Sequence, residues 1–372
     1  MNKAYRYRIY PTDLQKQLFL KTFGCCRKIW NLMLGDKKDF WESDHLPLRV
    51  TPAMYKDMYP YLREVDSLAL ANVQIDLDEA YRAFFNGTAR FPKFKTKKRG
   101  RLSYTTNNQN GTVSVSDNLI KLPKIGNVKA VIHRTAPDGY DLKSATVSME
   151  SDGSFFCSVL YEYEPEETPA ASDPEKAIGL DYKSASLYVD SNGETADMPH
   201  YYRNAQKRLA RLQRKLSRKR GASRGEQPSS NYAKQQRKIA KLHHHIADQR
   251  KDHLHKLSLS IAKTYDIVCV ESLNMRAMAN HSFGIGRATL DNGYGQFLKL
   301  LEYKLSDRGG TLVKIDKWYP SSQICSCCGA RRPMKLSERI YVCPACGAVM
   351  DRDTNAAKNI LAEGLRKFRA VS

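Results

Sequence analysis

The chain has 372 residues, of which 41% are hydrophobic and 10% aromatic, so it is long and apolar enough for two or more folded units. It has no apolar stretch of about 18 residues, and its N-terminus (MNKAYRYRIYPTD) lacks an apolar signal-peptide core, so we expect a cytoplasmic protein without a membrane span. A net charge of +22, from 61 Lys and Arg against 39 Asp and Glu, favours a nucleic-acid partner. The alternative is a merely solvated basic surface, but the basic residues are clustered.

The first hundred residues are predicted to contain one strand and a small helical unit. The segment Tyr5 to Tyr10 has the composition of a strand, and Thr12 with Gln15 has the spacing of a helix-capping box. Apolar residues then recur at helical spacing between positions 14 and 33, and again between Ser67 and Phe85. These stripes are typical of ordinary core helices.

A basic segment and a set of short strands follow. Asn86 to Ser103 carries seven Lys or Arg and no acid. Between about 103 and 163, short alternating runs are separated by NG and DG turn signals, which predicts a small antiparallel β-barrel that includes the N-terminal strand. The stretch from Glu162 to Glu175 is rich in Pro, Ala and Glu and is predicted to be a linker.

From Lys176 onward the pattern indicates a mixed α/β unit. KAIGLDYKSASLYVDSNG predicts two strands, and DIVCVE and TLVKID predict two more. A long helical hairpin is expected over about 200–264, interrupted near GASRGEQPSS. Further helices are expected from Gly293 to Ser306 and from Thr354 to about Lys367.

Three acidic residues stand out by their settings. Asp181 ends the apolar run IGLD, Glu271 ends IVCVE, and Asp353 stands at the start of a helix. A buried carboxylate is costly unless it is paired or metal-bound, and a few convergent carboxylates suffice for magnesium. Each acid alone has an ordinary explanation: a strand-end acid is usually solvated, and Asp353 could be the helix N-cap while Asp351 is a surface acid. Spacing alone does not unite the three.

Four cysteines have the spacing of a zinc site. Cys325 and Cys328 form one CxxCG knuckle, and Cys343 and Cys346 form a second one 14 residues later. Four thiolates leave no open position on zinc, so one structural Zn²⁺ is predicted, distinct from any magnesium at the carboxylates. Cys327 is the odd thiol; it could compete as a ligand, but only Cys325 gives the paired spacing.

A basic helix is the strongest candidate for contact with nucleic acid. Arg203 to Arg220 contains nine Lys or Arg and no acid. Arg208, Arg211 and Lys215 share a helical face, and a phosphate backbone would relieve their mutual repulsion. The alternative interpretation is a solvated helix.

Several of these segments together resemble the TnpB proteins, transposon-encoded relatives of the type V CRISPR effectors. The matching stretches, in order, are RYRIYPTDLQKQLF, RFPKFKTK, KLPKIGNVK, IGLDYKSASLYVDSNG, VCVESLNM, FLKLLEYK, YPSSQICSCCG and DRDTNAAKNIL. The resemblance covers nearly the whole chain. It implies an RNA-guided endonuclease that cleaves double-stranded DNA and whose RuvC site holds two Mg²⁺ ions through Asp181, Glu271 and Asp353.

The resemblance also implies a multi-domain α+β organisation. The expected parts are a wedge β-barrel (1–12 and 101–172), a helical recognition domain (13–100), an RNase H-like RuvC nuclease domain (173–319 and 350–372) and an inserted zinc ribbon (320–349). The implied partners are a guide RNA from the transposon end and the target DNA. One RNA is expected per protein monomer, in the prokaryotic cytoplasm at the nucleoid.

By the same resemblance, the barrel and the helical unit around 49–75 would recognise a short DNA motif beside the target. Thr106 and Asn107 are polar and suit base edges, although the same residues suit a turn. Gln323, just before the first knuckle, would help to orient DNA; a polar turn is the alternative. Two rival functions remain open at this point: an RNA-guided DNA-binding repressor without cleavage, and a transposase that performs strand transfer.

Overall fold

The computed structural model describes residues 1–45, 48–97, 100–164, 172–219, 228–280, 286–335 and 337–371. The chain divides into two compact units, Met1–Glu166 and Glu167–Ser372. This boundary falls within the predicted linker, of which residues 165–171 lie outside the described part of the chain. Residues 220–227, where the helical hairpin is predicted to be interrupted, also lie outside it.

The first unit is built on a seven-stranded antiparallel sheet. Its strands follow the order β2-β6-β7-β1-β5-β4-β3, and the N-terminal strand pairs with both β7 and β5, as predicted. Because β2 and β3 stand at the two ends of this order, closure into a barrel stays a prediction. The strands are β1 (Asn2–Tyr10), β2 (Leu102–Asn107), β3 (Ser114–Ser116), β4 (Leu119–Leu122), β5 (Gly126–Val131), β6 (Asp141–Met149) and β7 (Phe155–Glu162).

Two helices complete this unit, α1 (Asp13–Asp44) and α2 (Ser67–Phe85), with 3₁₀ turns at Pro52–Tyr55 and Pro60–Glu64 between them. The predicted capping box is confirmed, since the Gln15 amide donates to the Thr12 hydroxyl and the Thr12 amide donates to the Gln15 side chain. Such reciprocal bonds satisfy backbone donors that a helix start otherwise leaves unpaired.

The helices and the sheet of the first unit share one hydrophobic core. Phe19 of α1 stacks on Phe155 of β7 with 5.6 Å between ring centroids, and Phe23 lies 5.8 Å from Tyr104 of β2. β7 buries alternate residues toward this core, as expected for a half-buried strand. The finer division of this unit into a helical domain and a wedge domain stays a prediction.

The second unit contains a four-stranded mixed sheet in the order β11-β10-β8-β9. The strands are β8 (Ala177–Tyr182), β9 (Tyr188–Asp190), β10 (Ile267–Glu271) and β11 (Thr311–Ile315). β10 runs parallel to both β8 and β11, whereas β9 is antiparallel to β8. The first four residues of β10, IVCV, are all buried, as expected for a central parallel strand covered on both faces.

Helices cover both faces of this sheet, which gives the expected mixed α/β architecture. On one face, Leu254 of α4 and Phe297 of α7 join the core with Leu180 and Val270. On the other face, Ile360 of α8 packs with strand residues of β10 and β11. The helices are α3 (Tyr201–Ser217), α4 (Ser230–Thr264), α5 (Met275–Met278), α6 (Gly286–Asn292), α7 (Tyr294–Ser306) and α8 (Arg352–Val371).

A short two-stranded sheet, β12 (Ile340–Val342) with β13 (Val349–Asp351), lies in the cysteine-rich segment before α8. None of the helices in the described ranges is long and apolar enough to cross a lipid bilayer.

Glycines allow α8 to lie directly against the sheet. A Cβ atom at Gly179 of β8 would overlap the carbonyl oxygen of Ala357 and lie 2.8 Å from the Leu361 backbone nitrogen. At Gly364 of α8, a Cβ atom would overlap the side chain of Cys269. The close approach therefore fixes the position of α8 relative to β8 and β10.

We predict that Gly179→Ala lowers the free energy of unfolding by about 3 kcal/mol, because the added methyl group meets helix backbone that has little freedom to move. Denaturant unfolding followed by circular dichroism measures this change. Gly24→Ala is the matched control: in α1 a Cβ atom meets nothing within 4 Å, so the same substitution should stabilise the chain by up to about 1 kcal/mol. Equal effects at the two positions would contradict the packing argument.

Candidate active site

Three carboxylates from separate elements line one cavity of about 530 Å³. Asp181 lies near the end of β8, Glu271 is the last residue of β10, and Asp353 is in the first turn of α8. Leu180 pairs with Val270 in the parallel ladder, so the two strand-end acids follow at the same edge of the sheet. The structure thus brings together all three acids that the sequence singled out.

The neighbouring Asp351 has a different role. Its carboxylate accepts hydrogen bonds from the backbone amides of Asp353 (2.9 Å) and Thr354 (3.0 Å), so Asp351 caps the start of α8. Asp353 is buried and faces the cavity, where Lys183 lies 3.0 Å from one of its carboxylate oxygens. The capping role and the cavity position therefore belong to different acids.

The cavity disfavours the ionised form of its buried acids. Burial, followed by the charges of Glu271 and Asp353, raises the pKa of Asp181 well above its usual range. Burial also raises the pKa of Glu271, although the hydrogen bond from the Ser321 hydroxyl to Glu271 Oε1 (2.6 Å) opposes that shift. A bound cation would stabilise the ionised form of all three carboxylates.

The donor set fits magnesium by its chemistry. Mg²⁺ prefers oxygen ligands and retains several waters, so it needs few protein carboxylates and no complete cage. Within the described residues, the four cysteines are the one group of three or more ligand side chains gathered tightly around a single point. The three carboxylates line one cavity, but their oxygen atoms are not gathered as closely as the four sulfur atoms.

Two buried asparagines of α8 hold residues 321–326 in place beside the cavity. Neither was singled out from the sequence. Asn359 donates from Nδ2 to the carbonyl oxygens of Ser321 (2.8 Å) and Ile324 (2.6 Å). Asn355 donates to Ile324 and accepts from the Ser326 amide at 2.9 Å. Their spacing of four residues places both on the same helix face, and this was the signal in the sequence that could have identified them.

Asp291 and Asn292, at the end of α6, were also missed. The Asp291 carboxylate accepts from the backbone amides of Tyr202 (2.9 Å) and Arg203 (3.2 Å), at the start of the basic helix α3. Asn292 donates from Nδ2 to the carbonyl oxygen of Ser184 at 2.9 Å, in the turn that follows Asp181. Two adjacent buried residues thus hold both the start of the basic helix and the turn that follows Asp181.

The four predicted cysteines form a compact group. Their sulfur atoms all lie within 4.8 Å of one another, with Cys325 to Cys346 at 3.7 Å and Cys328 to Cys343 at 3.5 Å. A tetrahedral zinc site with Zn–S bonds of about 2.3 Å requires S···S distances of about 3.8 Å, so the group fits zinc. Cys327 is exposed and lies outside the group, in agreement with the paired spacing.

The two cysteine knuckles have the same backbone form. Gly329 and Gly347 have φ values of +77° and +73°, and their amides donate to the carbonyl oxygens of Cys325 and Cys343. A positive φ favours glycine, which follows the second cysteine of each CxxCG knuckle. Hydrogen bonds from the backbone amides of Cys346 and Ala345 lower the pKa of Cys343 to about 6, which favours the thiolate that binds metals.

The predicted nucleic-acid contacts have different settings. Arg208, Arg211 and Lys215 are exposed on α3. Gln323 lines the cavity of the three carboxylates and accepts a hydrogen bond from Arg331. Thr106 is fully buried and its hydroxyl donates to Asp66, the N-cap of α2, so it packs in the core here, and its base contact stays a prediction. Asn107 is half-buried at the end of β2, and its DNA contact stays a prediction.

Three protein-family models match parts of the chain. Residues 158–282 match the OrfB family of IS605 elements, described as "Probable transposase", and residues 294–360 match the "Cas12f1-like, TNB domain". Residues 1–45 match the OrfB "Helix-turn-helix domain", although here they form one strand and one long helix.

Similar proteins match over nearly the whole length. The chain is 34% identical to a Streptomyces pristinaespiralis protein named "Putative RNA-guided DNA endonuclease", over 98% of this chain and 90% of that protein. It is 29% identical to InsQ of Escherichia coli (strain K12), which has the same description, over 97% and 92% of the two chains. The solved structure titled "Cryo-EM structure of the Cas12f1-sgRNA-target DNA complex" shares the fold, with a TM-score of 0.59 at 12% identity over 97% and 98% of the chains.

These matches confirm the resemblance seen in the sequence. The relative with 34% identity is covered almost end to end, so the likeness is that of whole proteins rather than of one shared domain. The chain therefore belongs to the TnpB family, the OrfB group of IS605 elements.

Proposed function

We propose that this protein is an RNA-guided endonuclease that cleaves double-stranded DNA beside a short flanking motif. The observation that carries the proposal is the convergence of Asp181, Glu271 and Asp353 on one cavity. Membership of a family whose relatives are named RNA-guided DNA endonucleases supports the same activity. Guide pairing would supply most of the sequence specificity, as in other RNA-guided systems.

The three carboxylates would hold two magnesium ions at this cavity. When bound, the metal pair supplies an activated water and stabilises the leaving oxygen of a phosphodiester. The hydroxyl of Ser321 fixes the orientation of Glu271. Lys183 and Arg352, which both approach Asp353, supply positive charge at a cavity that receives a phosphate.

The finer domain assignments are part of this proposal. Residues 173–319 and 350–372 would form the RuvC nuclease domain, and residues 320–349 a zinc ribbon whose ion is held by the four cysteines. Residues 1–12 with 101–172 would form the wedge, and residues 13–100 the recognition domain. One guide RNA would bind per monomer, and the protein would act at the nucleoid of a prokaryotic cell.

The basic helix α3 would bind the nucleic-acid backbone. Arg208 also lines a cavity of about 280 Å³ between α3 and α4 together with Lys238 and Lys241, which concentrates positive charge beside apolar walls. We predict that replacing Arg208, Arg211 and Lys215 with Ala weakens RNA binding for all sequences alike. The slope of log affinity against log salt should fall by about 1 for each phosphate that the variant no longer binds. Filter binding at several KCl concentrations measures both effects.

A matched triple variant controls for the removal of three charges. Lys16, Lys38 and Lys256 each pair with an acid on the same helix (Asp13, Glu42 and Asp252), so their replacement with Ala should leave the salt slope unchanged. An equal fall in slope for both triple variants would mean that only net charge matters, and that α3 is not a specific contact.

Cleavage of a guide-matched plasmid tests the proposal directly. The protein is purified with its bound RNA, the RNA is sequenced, and a plasmid that carries the matching target is incubated with the complex and Mg²⁺. We expect a double-strand break that requires the matching sequence and that disappears with EDTA or with ribonuclease treatment beforehand. Binding without a break in Mg²⁺ would instead support an RNA-guided repressor.

A transposase is the second candidate, because the matched family model over residues 158–282 is described as "Probable transposase". This alternative predicts joining of transposon ends to a new target without RNA. Strand transfer by the ribonuclease-treated protein would therefore favour it over the proposed function.

A further inference from the structure

Tyr294, the first residue of α7, is a buried polar residue that the proposed mechanism does not use. Only 1% of its surface is exposed, and its hydroxyl is buried without a hydrogen-bond partner in the described part of the chain. A buried hydroxyl that makes no hydrogen bond costs folding free energy, so such a group calls for an explanation. Phenylalanine would fill the same space without that cost.

The surroundings of Tyr294 point toward the catalytic edge of the sheet. Its ring centroid lies 4.8 Å from that of Tyr182, the residue that follows Asp181. Its side chain belongs to the same core cluster as Leu180 and Val270, which precede Asp181 and Glu271. The ring contact with Tyr182 therefore places Tyr294 beside the end of β8 that carries Asp181.

Electrostatics agree with this geometry. Burial, followed by the charges of Asp181 and then Glu271, raises the pKa of the Tyr294 phenol. The phenol is thus within electrostatic reach of both carboxylates. It stays protonated at neutral pH and can act as a hydrogen-bond donor to them.

We propose that Tyr294 is a positioning residue for the metal-binding carboxylates, with its hydroxyl donating toward Asp181 and Glu271 through one bridging water. A hydrogen bond to a metal-binding carboxylate orients it and reduces the freedom it loses when the metal binds. A water between a phenol and two carboxylates would have three polar partners, which is the usual number for a buried water. This inference rests on the proposed function, because it assigns a role in support of the same site.

The variant Tyr294→Phe removes only the hydroxyl. Calorimetric titration of the full-length protein and its RNA with Mn²⁺ gives a readout that is independent of cleavage. We expect affinity for Mn²⁺ to fall about ten-fold, as is typical when a partner of a metal ligand is removed. Cleavage at limiting Mg²⁺ should fall by a similar factor and recover at excess Mg²⁺. The melting temperature without metal should change little, because phenylalanine fills the same space in the core.

Tyr188→Phe is the matched control. Tyr188 is buried in the same aromatic layer, with its ring 5.6 Å from Phe297, but its pKa is raised by burial and then by Asp190 and Tyr265, not by the three acids of the cavity. It should bind Mn²⁺ like the wild type. Wild-type metal affinity in Tyr294→Phe, or an equal reduction in both variants, would overturn the proposal.

The variant Asp181→Asn distinguishes a failure of the role given to Tyr294 from a failure of the proposed function. If Asp181→Asn loses Mn²⁺ affinity while Tyr294→Phe keeps it, only the role of Tyr294 is refuted. If Asp181→Asn also binds Mn²⁺ like the wild type, the carboxylate site itself is refuted, and the proposed function fails with it.

Discussion

Asp353→Asn is expected to reduce DNA cleavage by about a thousand-fold or more, whereas Asp351→Asn, two residues away, should leave it nearly unchanged. Asn keeps the volume of Asp353 but removes the charge that would bind magnesium in the shared cavity. Metal ions contribute several kcal/mol to stabilisation of a phosphodiester transition state, and each 1.4 kcal/mol is a factor of about ten. Removal of one of three carboxylates eliminates much of that contribution.

Asp351 is a close control because it lies two residues from Asp353 in the sequence but does not line the cavity. Its carboxylate caps α8 through the amides of Asp353 and Thr354, and Asn caps helices about as well as Asp. The free energy of unfolding should change by less than about 0.5 kcal/mol.

Both variants are purified with RNA, and the rate of plasmid cleavage and the affinity for target DNA are measured. Binding should be retained in both. If Asp351→Asn, rather than Asp353→Asn, abolished cleavage, the assignment of the third carboxylate would be wrong.

Cys343→Ser is expected to release zinc and to disable cleavage. Structural zinc in small domains contributes about 10–16 kcal/mol in total, so removal of one of four thiolates should weaken binding at least about 100-fold. The effect should extend to the active site, because the segment from Ser321 to Ser326 links the first knuckle to Glu271 and to α8. Once the knuckles unfold, the hydrogen bond from Ser321 to Glu271 is no longer held in place.

Cys327→Ser serves as the control for zinc release. Cys327 is exposed and outside the four-sulfur group, so this variant should retain zinc and full cleavage. Metal content by mass spectrometry and cleavage rate are compared for the two variants, with circular dichroism to show that the remaining helices stay folded. A zinc-free Cys343→Ser protein that cleaves at the wild-type rate would show that the ribbon does not support the site.

Local sequence predicted the elements of this chain well. The Thr12 capping box, the strands that carry Asp181 and Glu271, and the helix that carries Asp353 all lie where the pattern placed them. The reason is that capping, alternation and apolar runs depend on neighbours along the chain. The cysteine group was also predictable, because a CxxCG knuckle is a local turn.

Contacts between distant segments were not predictable in this way. Thr106 has the polar character of a DNA-reading residue, yet its hydroxyl bonds to Asp66, 40 residues away, inside the core. The two polar residues Asp291 and Asn292 have ordinary helix-end character in the sequence, and only their partners in α3 and after β8 reveal what they hold. A sequence pattern gives no signal for such pairings.

By itself, the sequence determined the positive charge, the two cysteine knuckles, the α/β order of the second unit and the identity of three candidate acids. The tertiary structure alone decided that those acids share one cavity, because the parallel register of β8 with β10 and the glycine contacts under α8 set where their side chains meet. It also separated the surroundings of Asp351 and Asp353, since Asp351 caps α8 whereas Asp353 faces the cavity beside Lys183. The positions of the three acids along the chain do not show whether they are close in space. The packing of α8 on the sheet of β8 and β10 brings them to one cavity.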